Sequence, residues 1–574
     1  MSSLLTCSLQ STVNSFTLKP TGFLPTLTLQ KSADSHHGSL RSSPDEIMSV
    51  DRSLCIDTVC SSDPEAQSSS LSSISSEDDI YSKSPGQAIQ RLGVKSGPTV
   101  WSFFGHISSL NPNIANLGQG FPDWLPPKFA IDALVSGVTD TAQNSPHQYT
   151  RPAGHPKLVK ELAGRYSKHL KKTVDAMNEV AITVGASQAL YLALQTRITE
   201  GDEVILFEPF FDLYENQIKL AGGVPIYVPL TFVPYSIQDD EDSNVIQGGE
   251  WILEEQAIKE KITSKTKVII LNSPHNPTGK IFTRKEMNIV ADVVANLAPD
   301  DCVVLSDEVY KYIVHSPPKN EIEEDEAVQF EETLANNNYQ PTICQGHVHF
   351  ASLPGMWNRT ITISSAGKTF SATGWQVGWA IGPSTLIAPI HTLLPYVQFC
   401  PSTVIQEALA RALPLADMPY EGYDNYYEHL KAMYTRKRDL LSSALAAAGF
   451  AVPNYNETPG GGFFIFARIG KEIADAIPKD RLFVNNPAAP HGIVRPDWAL
   501  CQWLAEEKGI LCIPASPFFS SQCPKDEHGN PISDQFVRIA FCKTNDTIKS
   551  AADALLALKE ESSKEGVRVL KSKE

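Results

Sequence analysis

The sequence predicts an α/β fold, a mixed and mostly parallel sheet flanked by helices. Two observations carry this. Short apolar runs rich in β-branched residues recur at 179–184, 204–207, 267–271, 302–306 and 360–363. They are apolar without alternation, as strands covered on both faces are. Each run ends in small, polar or aromatic turn residues, and helix-forming stretches lie between the runs, the order of parallel strands joined by crossovers.

The chain has 574 residues and 42% hydrophobic content, enough for a large two-domain subunit with a full core. Its formal net charge of −17 argues against a nucleic-acid surface. No apolar run approaches the ~20 residues of a membrane-spanning helix. The 10 cysteines are scattered, with no C-x-x-C pair and no His/Cys ligand spacing. Free thiols are expected, with no disulfide framework and no metal site.

Residues 1–90 are rich in Ser and Thr and poor in aromatics. Such a segment buries too little apolar surface to offset chain entropy, so a disordered tail is expected. Its first 33 residues hold two Lys and no Asp or Glu, but the first arginine is Arg41, and Asp45, Glu46, Asp51 and Asp57 follow. A transit peptide and a plain tail both stay open, and with them a mitochondrial or a cytoplasmic location.

Asn116-Leu117-Gly118-Gln119-Gly120-Phe121-Pro122-Asp123 reads as a turn, and a helix is expected from Leu158 onward. The strand at 179–184 passes through a turn, Gly185-Ala186-Ser187-Gln188, into a helix opening at Ala189. Backbone N–H groups at such a helix start, with the helix dipole, favour an anion. The strand at 204–207 ends in Glu208-Pro209-Phe210-Phe211-Asp212-Leu213-Tyr214, whose aromatics read first as core. The run at 239–242 is an acidic, solvated loop. The strand at 267–271 leads into Asn272-Ser273-Pro274-His275-Asn276-Pro277-Thr278-Gly279. That is a rigid loop at a strand's C-terminal end, where α/β ligand sites collect. Asp307-Glu308-Val309-Tyr310 caps the strand at 302–306. The stretch 316–346 carries an acidic insertion that reads as a surface loop. Helices are expected toward 415 from 403, at 426–448 and at 498–508, and strands at 510–514 and 536–541. Arg538 lies inside the last of these, where a charge is costly unless paired.

One lysine, Lys368, follows the strand at 360–363 among small residues: Ser364-Ser365-Ala366-Gly367-Lys368-Thr369-Phe370-Ser371-Ala372-Thr373-Gly374-Trp375. A lone lysine is far more often solvated surface. Phe370, Trp375 and Trp379 argue for burial, which lowers a lysine pKa. A neutral lysine amine attacks carbonyls and forms Schiff bases.

The string Ser-x-Gly-Lys-x-Phe-x-x-Thr-Gly-Trp resembles the pyridoxal-phosphate attachment site of class I aminotransferases. The longer text from Ala351 through Lys368 to Trp379 resembles the kynurenine–oxoglutarate group, of the glutamine transaminase K type. The resemblance runs from about Asn116 to about Phe541, with several separate motifs in order. It implies a fold-type-I enzyme, a homodimer, with pyridoxal 5'-phosphate as cofactor. The division it implies is an arm and part of a small domain at 91–135, a large cofactor-binding domain at 136–415, and a small C-terminal domain at 416–574. The implied reaction is transamination between an L-amino acid and a 2-oxo acid such as 2-oxoglutarate. Kynurenine, glutamine, aromatic and sulfur amino acids are the implied donors, and kynurenine would give kynurenic acid.

Residue by residue, the resemblance makes Lys368 the Schiff-base lysine and proton shuttle. Asp307 would keep the cofactor's ring nitrogen protonated. Tyr310 and Asn276 would bind its phenolate oxygen, with Asn272 lining the site and Phe211 stacked on the ring. Ala186, Ser187, Gln188 and Ser365 would hold the phosphate, joined by Tyr149 from the other subunit. Gly118 and Asn276 would touch the substrate, and Arg538 would clamp its α-carboxylate.

The sequence departs from this pattern at the 316–346 insertion and at Gln376, where the fold usually places Arg or Lys against the phosphate. Gln398 and Phe399 also replace an aromatic/His pair. Two other readings stay open: a cysteine-conjugate β-lyase with the same cofactor, and a non-catalytic regulator built on such a domain. The acidic, Ser-rich tail is unlike the basic module that a DNA-bound regulator needs.

Overall fold

The computed structural model describes residues 86–93, 98–140, 146–235, 248–315, 346–455 and 460–571. Most of the expected tail lies outside them. At its end Gln87–Leu92 forms a helix, and Arg91 of that helix pairs with Glu200. The acidic run at 239–242 and nearly all of the insertion at 316–346 also lie outside the described residues. Among the described residues no helix is long and apolar enough to cross a membrane.

The strands in chain order are β1 Ala115–Asn116, β2 Val180–Val184, β3 Glu203–Glu208, β4 Val224–Pro229, β5 Thr231–Pro234, β6 Gly249–Ile252, β7 Thr266–Asn272, β8 Val303–Asp307, β9 Thr360–Ser365, β10 Val377–Ile381, β11 Phe450–Ala451, β12 Phe464–Ile469, β13 Ile510–Leu511, β14 Ile513–Pro514 and β15 Phe536–Ala540. A seven-stranded sheet has the order β2-β10-β9-β8-β7-β3-β4. Strand β10 is antiparallel to both neighbours and the other pairs are parallel.

Alternate residues of these strands serve two different cores. Val204, Leu206, Val268 and Ile270 pack on one face; Ile205, Phe207, Ile269 and Leu271 pack on the other. Because both faces are covered, the strands read as unbroken apolar runs. Helices Gly185–Arg197 and Ser384–Val397 cover the first face through Leu190, Leu192, Leu386 and Ile390. Pro156–His169 and Arg284–Asn296 cover the second through Leu162, Tyr166, Met287 and Val290. Thr283 and Glu286 close the N-terminus of Arg284–Asn296 as a reciprocal capping box.

The helix expected from Ala189 begins at Gly185, directly after β2. Gly185 has φ +70°, a left-handed conformation open to glycine, so the strand turns into the helix without a separate loop. The expected boundary at 135/136 falls inside the helix Lys128–Thr139. The boundary at 415/416 falls in Thr403–Ala416. These two helices pack together, and Arg411 pairs with Asp140 across them.

The C-terminal third forms an antiparallel sheet of order β11-β12-β15-β14, beside the helix Tyr426–Ala447. Strand β1 pairs in parallel with β13 and brings the turn at 117–120 against this sheet. In β15, Arg538 stands opposite Phe466 on one side and Ile513 on the other.

The central sheet and the first turn of Gly185–Arg197 meet at Gly378 of β10. A Cβ there would lie 2.3 Å from the Gly185 carbonyl carbon and 2.5 Å from the Ala186 nitrogen. Both are backbone atoms of the helix start, so neither can swing aside. Gly378→Ala is expected to cost about 1–3 kcal/mol of stability, the range for overpacking, read from urea unfolding.

Candidate active site

Asn272, Asp307 and Ser365 end the neighbouring strands β7, β8 and β9, and Asn272 and Asp307 are register partners. Their side chains open into a cavity of about 250 Å³, at the C-terminal edge of the parallel strands where α/β folds collect ligands.

Lys368 belongs to the single-turn helix Ala366–Thr369, which follows β9 directly. Its Nζ donates to the Gly120 carbonyl at 2.8 Å and lies 5.5 Å from the centre of the Phe463 ring. Burial pushes the Lys368 amine down to about 8, and the nearby Arg538 guanidinium acts in the same direction. The amine therefore reaches its nucleophilic, neutral form close to physiological pH.

Asp307 is fully enclosed. Burial pushes its carboxyl up to about 6, against the pull of the Tyr214 hydroxyl, which donates to Oδ2 at 2.7 Å. The Val309 N–H donates to Oδ1 at 3.3 Å. A buried carboxylate held by only these donors favours a cationic group in front of it. Tyr310 stands edge-on to Phe463 and Phe464, and burial raises its hydroxyl above the usual range.

A chain of hydrogen bonds joins this end of the cavity to Arg538. Asn272 Nδ2 donates to the Asp307 carbonyl at 3.0 Å, and Asn272 Oδ1 accepts from the Asn276 N–H at 2.8 Å. Arg538 Nη1 then donates to Asn276 Oδ1 at 3.1 Å, and Nη2 to the Gly118 carbonyl at 2.9 Å. The guanidinium lies over the rings of Phe464, Phe518 and Trp101, with Cζ 4.4, 4.8 and 5.1 Å from their centres. Burial pushes Arg538 down to about 10. Its Nε is buried and has no hydrogen-bond partner. The fork thus keeps one donor unspent inside the protein.

The expected anion seat is the start of Gly185–Arg197. Ala186 and Ser187 line the cavity. Gln188 does not; its Oε1 accepts from the Val184 N–H at 2.6 Å, so its side chain closes the helix start. Gln376 lines the cavity with φ +51° and donates Nε2 to the Thr373 carbonyl at 2.7 Å. Phe211 and Ser365 line it as well. Gly118 reaches it only through Arg538. Tyr149 does not line it: this tyrosine is 80% exposed, with its ring against Phe399 at 4.8 Å.

Four contributors went unassigned in the sequence. Tyr214 stands three residues after Phe211, one helical turn on, and that spacing could have marked it as facing the same cavity. Phe464 opens β12 after the glycines at 460–462, and nothing in that string marks it as part of a site. Thr373 also lines the cavity, and it read only as part of the Lys368 motif. Trp101 comes from the helix Val100–Leu110 and donates to Asp212 at 2.7 Å; no local pattern signals it.

The lowered Lys368 value has a stability consequence. Between pH 8 and 10.5 the unfolded chain holds a proton that the folded chain has released, so stability rises across that window. Below it the folded protein bears the full cost of a buried ammonium, roughly 3 kcal/mol. In cofactor-free protein, Lys368→Met is expected to raise stability by roughly that amount at pH 7. The gain should shrink as pH approaches 10.5. Urea unfolding at the two pH values measures the difference, and a gain independent of pH would show that the buried ammonium is not its source.

The model of the family "Aminotransferase class I and II" matches residues 112–555. The chain is 38% identical over 463 residues to the kynurenine–oxoglutarate transaminase of Dictyostelium discoideum, covering 81% of this chain and 94% of that one. It is 35% identical over 458 residues to kynurenine–oxoglutarate transaminase 3 of Homo sapiens, covering 80% and 87%. Among solved structures, Bna3p of Saccharomyces cerevisiae aligns with a TM-score of 0.65 at 28% identity, over 81% of this chain and 97% of that chain. The family implies pyridoxal phosphate as cofactor, and the residues present fit it. They supply an amine near neutrality, an enclosed carboxylate, the amides of a helix start and a flat aromatic wall. The chain belongs to the class I and II aminotransferases and has the fold of the fold-type-I pyridoxal-phosphate enzymes.

Proposed function

We propose that this enzyme moves the α-amino group of L-kynurenine, and of glutamine, aromatic or sulfur amino acids, to a 2-oxo acid such as 2-oxoglutarate. Kynurenine would then yield kynurenic acid. The names and identities of the relatives from Dictyostelium discoideum and Homo sapiens support this donor and acceptor. The observation that carries the reading is the enclosed Arg538 with its unpartnered Nε, in one cavity with a lysine whose amine is pushed down to about 8.

Pyridoxal phosphate, when bound, supplies a sink for the electron pair left as the α-proton departs. Lys368 would hold the cofactor and serve as general base and acid for that proton. Asp307, oriented by Tyr214, would keep a positive charge on the ring nitrogen. Tyr310 and Asn276 would serve the phenolate oxygen, Asn272 braces Asn276, and Phe211 would lie against the ring. Ala186, Ser187 and Ser365 would bind the phosphate, and Gln188 would serve that seat by fixing its backbone. Arg538 takes the carboxylate of both donor and acceptor, with Gly118 beside it. The enzyme works as a homodimer in which the exposed Tyr149 reaches the partner's phosphate seat.

A donor screen with L-kynurenine, glutamine, phenylalanine and methionine, following oxo-acid formation and ammonia release separately, tests the reaction. Transfer that depends on added oxo acid is expected. Ammonia release without an acceptor would favour the lyase. Lys368→Ala should abolish transfer, and borohydride should no longer fix the cofactor to the chain; near wild-type turnover would overturn the assignment.

Arg538→Lys keeps a charge but loses the planar fork. It should weaken amino-acid and oxo-acid use alike, by at most a few kcal/mol, and leave the resting cofactor spectrum in place. Gln376→Arg should slow cofactor loss on dialysis and leave substrate affinity almost unchanged. Steady-state kinetics with timed cofactor release on both variants checks the pair. Cofactor loss from Arg538→Lys with intact substrate affinity would reverse the two roles.

A further inference from the structure

A second buried cluster lies next to Asp307, and the transfer reaction does not use it. Glu308 follows Asp307 and is fully enclosed. Its backbone is held by β9: its N–H donates to the Ile363 carbonyl at 2.8 Å, and its carbonyl accepts from Ser364 Oγ at 3.2 Å. Its Oε1 accepts from Ser306 Oγ at 2.9 Å. Its Oε2 lies 2.6 Å from His349 Nδ1 and 3.3 Å from His347 Nε2. One ligand atom from each of the three residues lies within 4.8 Å of the other two, and all three residues are buried.

No lysine or arginine among the described residues pairs with Glu308. Lys311, three residues on, donates Nζ to Tyr166 Oη and approaches Ser364 Oγ instead. It lies over the Tyr166 ring at 4.3 Å. A buried carboxylate is expensive unless it is paired, and the close neighbours of this one are the two imidazoles. The cluster therefore sets a carboxylate and two imidazoles, donor types that bind divalent metals, side by side in the interior.

We propose that Glu308, His347 and His349 bind a zinc ion. Two imidazole nitrogens and one carboxylate oxygen are a donor set that zinc takes, with a fourth position left for water. Zinc–ligand distances near 2.0–2.2 Å place tetrahedral donors about 3.3 Å apart. The His347–Glu308 pair already has this separation, the closer His349–Glu308 pair would open by about 0.7 Å, and the two imidazole donors, within 4.8 Å of each other, would close on the ion. The role is structural. The ion would join the segment carrying His347 and His349 to the end of β8, the strand that carries Asp307. The ligands do not reach the cavity that holds Lys368, so the ion takes no part in amino transfer.

The test uses the full chain with its cofactor bound. Protein is equilibrated with buffered zinc, passed through gel filtration, and its metal content measured by mass spectrometry. About one zinc per chain is expected, with absorption-edge spectra showing nitrogen and oxygen neighbours at 2.0–2.2 Å and no sulfur. His349→Ala, and the double variant His347→Ala/His349→Ala, should each retain under a tenth of the wild-type metal. Removing zinc from the wild type with a chelator should lower its melting temperature by several degrees. The same treatment should leave the double variant unmoved. If either variant fails to fold, the wild-type metal content and spectrum still decide. No retained zinc, a sulfur-ligated spectrum, or equal retention by a folded double variant would each overturn the site.

Discussion

A guanidinium buried inside an antiparallel strand has to be answered by its surroundings, and here that answer organises the site. Arg538 is 2% exposed, and no carboxylate among the described residues forms an ion pair with it. Three aromatic faces and two oxygen acceptors share the charge instead. Each acceptor sits on an element that matters for the chemistry. The Gly118 carbonyl belongs to the turn whose Gly120 carbonyl receives Lys368, and the Asn276 amide belongs to the loop after β7. The proposed carboxylate clamp and the amine proposed to move a proton are therefore positioned by the same backbone.

That arrangement couples the two sheets. Strand β15 brings Arg538 from the C-terminal sheet, whereas Asn276, Asn272 and Asp307 come from the edge of the central one. The hydrogen bonds from Arg538 to Asn276, and from Asn276 through Asn272 to Asp307, run without a gap. A neutral amide is a good acceptor for a guanidinium proposed to receive a substrate carboxylate. It satisfies one nitrogen without cancelling the charge. The buried Arg538 guanidinium also helps to keep the basicity of Lys368 down. The amine gains nucleophilicity from the neighbour that draws in an anionic substrate.

The same burial that serves the cavity creates a cost behind it. Asp307 faces the site, and Glu308, one residue on, meets His347 and His349. An acidic pair at the end of a buried strand thus supplies one carboxylate for the chemistry and leaves a second to be neutralised elsewhere.

Much of the site was legible in the chain because its residues stand at the ends of strongly apolar runs. Asp307 after 302–306, Asn272 after 267–271 and Lys368 after 360–363 follow from local pattern and local motif. The helix at Gly185 was misjudged by four residues because the left-handed glycine removed the turn that small residues usually signal. Trp101 and Phe464 carried no local signal, and the spacing that could have marked Tyr214 competed with the usual reading of an aromatic near a strand end as core. Their roles depend on Asp307 and Arg538, which are distant in the chain and adjacent only after folding. The meeting of Glu308 with His347 and His349 was hidden for the same reason, with no ligand spacing in the chain to announce it. What the sequence by itself determined is the α/β pattern, the lysine motif and the family, since these rest on periodicity and short contiguous strings. Only the tertiary structure decided which charges share a cavity, how far burial moves them, and which buried donors stay open. Those depend on distances between segments hundreds of residues apart.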